Sequence, residues 1–230
     1  MTAPVHAIEY DIRETWVRFG GLASPHVDIA QNAYGSYLED EAGRLPEPGE
    51  DESGEDYYVQ RRRLFQNAVK TVVFCGMALE AAIFDLAAIQ LGDKYTLEVL
   101  DKLDLLQKWL LVPRLVCGKS FKDTAPGINA LRTVIRARNA LVHAKSLPGT
   151  LDHSNLQKLT ERSAQLERDV HECFKCIVLL SLELNTLLGT VAGVLPLFEK
   201  RFLPTVDSLL PRELMEVVNR AREIHARSEV

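Results

Sequence analysis

Residues 72–89, "VVFCGMALEAAIFDLAAI", carry apolar side chains on almost every face of a helix. A helix of that kind has no side that water tolerates, so it belongs in the middle of a bundle. Its N-terminal continuation is polar and basic, with "QRRR" at 60–63, and Gly92-Asp93 closes it. The pattern predicts one long helix over 57–91, around which the rest of the chain must be wrapped. Runs of β-branched residues with period-two alternation are scarce, and no internal repeat is visible. The expected fold is all-α, an antiparallel helical bundle with N- and C-terminal helical extensions.

The flanking segments divide the chain. Val5, Ile8, Ile12, Trp16 and Phe19 fall at helical spacing over residues 5–20, and a second helical pattern runs from Val27 to Glu41. Residues 1–42 therefore read as an N-terminal helical extension. The stretch "GRLPEPGEDESGED", residues 43–56, is rich in Pro, Gly and acid and reads as an exposed loop. Residues 57–190 form the bundle proper. Within it, 96–117 is one more helix or a helix broken at Pro113, because proline lacks the donor and clashes with the preceding turn. Residues 127–147 give a helix closed by Pro148-Gly149. Residues 152–190 give a long one with Leu156, Leu159, Leu166, Val170, Phe174, Ile177 and Leu180 as its apolar stripe. Residues 191–230 form a C-terminal helical tail, whose last helix opens at Pro211.

A formal net charge of -5 argues against a protein that coats nucleic acid, since phosphate binding needs clustered Lys and Arg. It leaves room for a local basic groove. The four cysteines do not form a metal-binding set. Cys173 and Cys176 have C-x-x-C spacing beside His171, but Cys75 and Cys117 are single and distant. Neither a metal nor a cofactor is expected. The start, "MTAPVHAIEYDIRETW", lacks the order of a signal peptide, and no run of roughly 18 uninterrupted apolar residues suggests a membrane span. The expected compartment is the cytoplasm, with reduced thiols.

The chemistry concentrates in "RARNALVHAK", residues 136–145. Arg138 carries a permanent charge and a planar fork of donors that matches phosphate oxygens. His143 titrates near neutrality and can take or give a proton. Together such groups can cleave RNA without metal. The base removes the ribose 2′-OH proton, the oxygen attacks phosphorus, and the guanidinium stabilises the charge that develops. Asn139 lies on the face of His143 and can orient the imidazole or a phosphate. Arg132, Arg136 and Lys145 add a positive edge as possible RNA contacts. At about 100° per residue, Arg138 and His143 stand about 140° apart on a regular helix. Their convergence requires a helix that ends near Val142–Ala144, or a second chain. A structural alternative is that the two form a pair capping a helix end.

"RNALVH" resembles the R-x4-6-H motif of the HEPN superfamily, whose common form begins Arg-Asn. Glu80 in "GMALEAAIF" resembles the acidic position of the family's preceding long helix. "LLQKWLLVPRLVCGKSF" is similar to its Lys-Trp-containing segment. The resemblance covers roughly residues 57–190. It implies a homodimer in which two motifs face each other across one RNA-cleaving groove. It also implies a toxin–antitoxin or antiviral defence setting with a regulatory or antitoxin partner. The position two residues after the His, a modified Tyr in some family toxins, is Lys145 here. Glu80 would hold Arg138 in place, or else form a structural ion pair with an Arg of another helix. "QRRR" is a solvated helix end or an extension of the RNA groove. The reading from a different class is a non-catalytic helical RNA-binding or protein-interaction module.

Overall fold

The computed structural model describes residues 18, 20–49, 53–144 and 153–228, without the side chains of 153, 154 and 156. The helix expected over 5–20, Lys145 and Pro148-Gly149 lie outside the described residues. Seven α-helices account for the fold, and no strand occurs among the described residues. They are α1 (Ala23–Ala42), α2 (Glu55–Leu91), α3 (Asp93–Glu98), α4 (Leu105–Cys117), α5 (Pro126–Val142), α6 (His153–Leu188) and α7 (Met215–Ser228).

The apolar half of α2 forms the centre. Val72, Cys75, Ala78, Leu79, Ala82, Ile83 and Leu86 are buried, and α1, α4, α5 and α6 all pack against this helix. By length and composition alone α2 could cross a membrane; here its neighbours bury 56% of that apolar window. α1 contributes Ala23, Val27, Ala30, Tyr34 and Tyr37, an i, i+4, i+7 stripe, and Tyr34 stacks on Phe174 of α6 with ring centroids 4.7 Å apart. α4 inserts Trp109, whose indole N–H donates to the Leu79 carbonyl at 3.2 Å. Buried indoles need such a partner.

The region 96–117 departs from both expected forms. The chain breaks before the proline, through a 3₁₀ turn at Leu100–Lys102, and α4 then runs through Pro113. A capping box restarts it: the Asp104 carboxylate accepts from Gln107 N–H, and the Gln107 amide oxygen accepts from Asp104 N–H. Pro113 is buried inside α4, and the bond it cannot donate is the one to the Trp109 carbonyl, in the middle of the helix. α5 also stops earlier than expected, at Val142. Ala144 N–H turns back to Leu141 O, which tightens the end and terminates the ladder.

Residues after α6 are built into the core. Leu195, Phe198, Leu214, Val218 and Ala221 belong to the same buried cluster as α2. Asn185 ties the return: its amide donates to Glu199 Oε2 at 2.8 Å and its carbonyl oxygen accepts from Ala192 N–H. The second half of α6 is thus covered by the tail as well as by the bundle. Its first half is less so, and Leu159 of the expected stripe is exposed. Gln60 turns inward from "QRRR". Its amide donates to Gly43 O at 2.7 Å and Asp40 O at 3.2 Å and accepts from Leu45 N–H, pinning the α1–α2 connection.

α5 begins at Ala125-Pro126 without a capping side chain of its own. Glu183 of α6 supplies the cap, accepting from Gly127 N–H at 2.7 Å. A Cβ at 127 would lie 2.6 Å from Glu183 Oε2, so a larger residue would push the capping carboxylate aside. Burial pushes the Glu183 carboxyl up to about 7 from its ordinary 4.5, against the lowering effect of the Gly127 N–H. The folded state therefore holds this proton more tightly than the unfolded chain. The associated stabilisation is complete below pH 4.5 and is lost as pH rises through about 7. Glu183→Gln is expected to remove that part of the pH dependence. In urea titrations the variant should gain on the wild type between pH 5 and pH 8, by on the order of 1–3 kcal/mol. Parallel pH profiles would contradict this assignment.

Candidate functional site

The motif occupies the last turns of α5. Asn139, Val142 and His143 share an exposed face, and His143 is the C-cap residue, with its N–H donating to Asn139 O at 3.0 Å. Neither the Asn139 nor the His143 side chain has a hydrogen-bond or ionic partner among the described residues. Arg138 leaves the same helix in another direction. Its stem crosses α2 over Gly76, where a Cβ would meet Arg138 Cδ at 2.8 Å. Its Nε is buried without a partner, and the guanidinium makes no ion pair among the described residues.

The two residues open into different cavities of the chain. Arg138 lines a space of about 480 Å³ between α1, α2 and α5, with His26, Met77, Glu80, Phe84 and Asp85. His143 lines a groove of about 640 Å³ between α2, α5 and α6, with Phe65, Leu141, Leu159 and Arg162. They form no structural pair, and the end of α5 at Val142 does not bring them together. The angular separation of the ideal helix persists.

Glu80 has neither of the expected arginine partners. Its carboxylate takes Lys108 Nζ of α4 at 2.5 Å, and Asp101 takes the same ammonium at 3.0 Å. Lys108 is buried except for about 6% of its side chain. Burial alone would depress the ammonium; the bonds to Glu80 and Asp101 more than reverse this and hold it above its ordinary range. Lys108 stands beside Trp109 in the segment that the sequence singles out, but that segment alone gives no direction for the ammonium. On the far wall of the Arg138 cavity, Arg18 bridges Asp85 at 3.3 Å and Asp93 at 2.6 Å. Burial raises the Asp85 carboxyl despite that partner.

Arg132 and Arg136 of the positive edge of α5 are held in ion pairs within the chain. Arg132 pairs with Asp123 and donates to Asn129 Oδ1 at 2.9 Å. Arg136 pairs with the buried Asp169 at 2.7 Å. His26 of α1, which no motif marks, has a buried Nδ1 without a partner in the Arg138 cavity. Its only signal in the sequence is a histidine beside the apolar stripe of α1. Cys75, Cys173 and Cys176 are buried thiols pushed well up by burial, and no metal-ligand cluster occurs among the described residues.

No family model matches the chain. Neither curated protein sequences nor solved structures give a match. The site must therefore be judged from its own geometry.

The Lys108 assignment has a direct test. A double-mutant cycle between Glu80→Ala and Lys108→Ala should give a coupling of about 1 kcal/mol or more in thermal or urea unfolding. The cycle between Glu80→Ala and Arg138→Ala should give a value near zero. Coupling of the second pair alone would restore Arg138 as the partner of Glu80.

Proposed function

We propose that the chain is a metal-independent endoribonuclease of HEPN type that acts as a homodimer. The observation that carries this reading is the state of the motif. Arg138 and Asn139 of α5 and its C-cap His143 have no side-chain partner among the described residues, while Arg132 and Arg136 are held in ion pairs. Arg138 and His143 open into separate cavities, so a groove holding both kinds of group needs a second copy. Val142, 57% exposed between them at the end of α5, supplies an apolar contact for such a copy.

In the composite groove one His143 takes the ribose 2′-OH proton, and the 2′ oxygen attacks the adjacent phosphorus. The partner's His143 gives a proton to the departing 5′ oxygen. Arg138 holds the phosphate oxygens as negative charge accumulates. The P–O5′ bond breaks, leaving a 2′,3′-cyclic phosphate and a 5′-hydroxyl. Asn139 orients the imidazole or a phosphate. Cleavage of this kind in the cytoplasm, under the control of an antitoxin or other regulatory partner, suits a toxin or antiviral defence role. That setting rests on the family resemblance.

A non-catalytic RNA-binding or protein-interaction module is the second reading. It is favoured by the separation of Arg138 and His143 within one protomer.

Purified protein is expected to cleave single-stranded RNA in EDTA as a species of twice 25.8 kDa. Arg138→Ala and His143→Ala should each slow cleavage by about 100-fold or more, with the melting temperature nearly unchanged. Variants that cleave like the wild type would refute the catalytic assignment, and variants that fail to fold would move these residues into the structural class.

A further inference from the structure

The groove beside His143 does not end at α5. Phe65, Ser163 and Leu166 line it, and the same three residues line a second cavity of about 300 Å³ further along α2 and α6. The two spaces are one trough that runs from His143 towards the start of α2. Its polarity is opposite to that of the whole chain. The carboxylates lining it are Glu167 and Asp169. Glu167 is shared by Arg44 at 3.3 Å and Arg61 at 3.5 Å, and Asp169 is taken by Arg136. Arg61, Arg62 and Arg162 line the trough, and both of its carboxylates are already paired with arginines. Arg62 is exposed and forms no ion pair among the described residues, so its charge is not neutralised. In a protein of net charge -5 this is a local positive track.

Phe65 stands where the two cavities meet, 53% exposed. Leu159 is exposed at the His143 end. An exposed aromatic ring between guanidinium groups is the arrangement that binds unpaired nucleic acid. The ring takes the face of a base, and the arginines take the flanking phosphates. A duplex keeps its base faces stacked internally and cannot use the ring.

We infer that the α2–α6 trough binds a single-stranded stretch of RNA, with a base on Phe65 and phosphates on Arg62 and its neighbouring arginines, and leads the strand to His143. This rests on the nuclease reading for its occupant and specifies the form of RNA and its path. It gives the arginines of "QRRR" a role that the α5 motif does not.

The test uses the full chain carrying His143→Ala, so that RNA stays intact, and a fluorescein-labelled decauridylate read by anisotropy. Binding should weaken with added salt. Phe65→Ala should weaken it about fivefold or more, and Arg62→Glu should weaken it further. Arg212→Glu, on the tail, should leave it unchanged. An RNA duplex of equal length should bind more weakly and be indifferent to Phe65→Ala. Both trough residues are exposed, so melting temperatures should stay near that of the parent. No binding of the oligonucleotide, or equal binding by the Phe65 and Arg62 variants, would overturn the assignment. So would a Phe65→Ala chain that loses its dimer but keeps its oligonucleotide affinity, since the trough would then be a protein contact. Phe65- and Arg62-dependent binding by a chain whose unsubstituted form never cleaves RNA would support the trough and refute the nuclease.

Discussion

Enclosure of the apolar half of α2 is the constraint on which the structure depends. Its small residues, Gly76, Ala78, Ala82 and Ala87, let neighbouring elements come close, and its larger ones require cover from several sides. α1, α4, α5 and α6 are the answer to that requirement. The same close approach sets the chemistry. Arg138 reaches the far side of α2 because residue 76 has no side chain to stop it. Lys108 is buried against α2 because Glu80, one turn beyond Gly76, offers a carboxylate there. The central helix thus decides which of the charged groups around the motif are paired and which stay free.

Much of this frame is legible from periodicity. The extent of α2, α5 and α6 follows from apolar spacing to within a few residues at most ends. The capping pair Asp104 and Gln107 is also present in the sequence as a start signal, although Pro113 draws attention away from it. Other features depend on contacts between distant segments. Glu80 meets a lysine 28 positions away, and no spacing rule selects Lys108 over an arginine. Glu183 reads as a polar interruption of α6 and becomes the cap of α5. The tail carries few apolar residues in regular order, yet Phe198, Leu214 and Val218 close the core. Tertiary burial of this kind leaves only weak local traces.

The distribution of arginines connects the fold to the proposed activity. Most of the arginines of α5 and the tail hold a carboxylate. An exposed pair such as Arg132–Asp123 contributes little to stability. Arg138 of the motif and Arg62 of the α2–α6 trough have no ion pair among the described residues. On the proposed mechanism these are the phosphate-holding and strand-guiding groups, and His143 lines the same trough.

The central claim is that one site is assembled from two chains, and subunit mixing tests it most directly. Wild-type and His143→Ala chains are mixed in equal amounts, exchanged and assayed for RNA cleavage. A mixed dimer has one His143, so its shared groove lacks either the base or the acid. The account predicts that cleavage falls to about one quarter of the wild-type rate, because only dimers of two wild-type chains stay active. A mixture that forms mixed dimers and keeps about half of the rate would contradict the shared site.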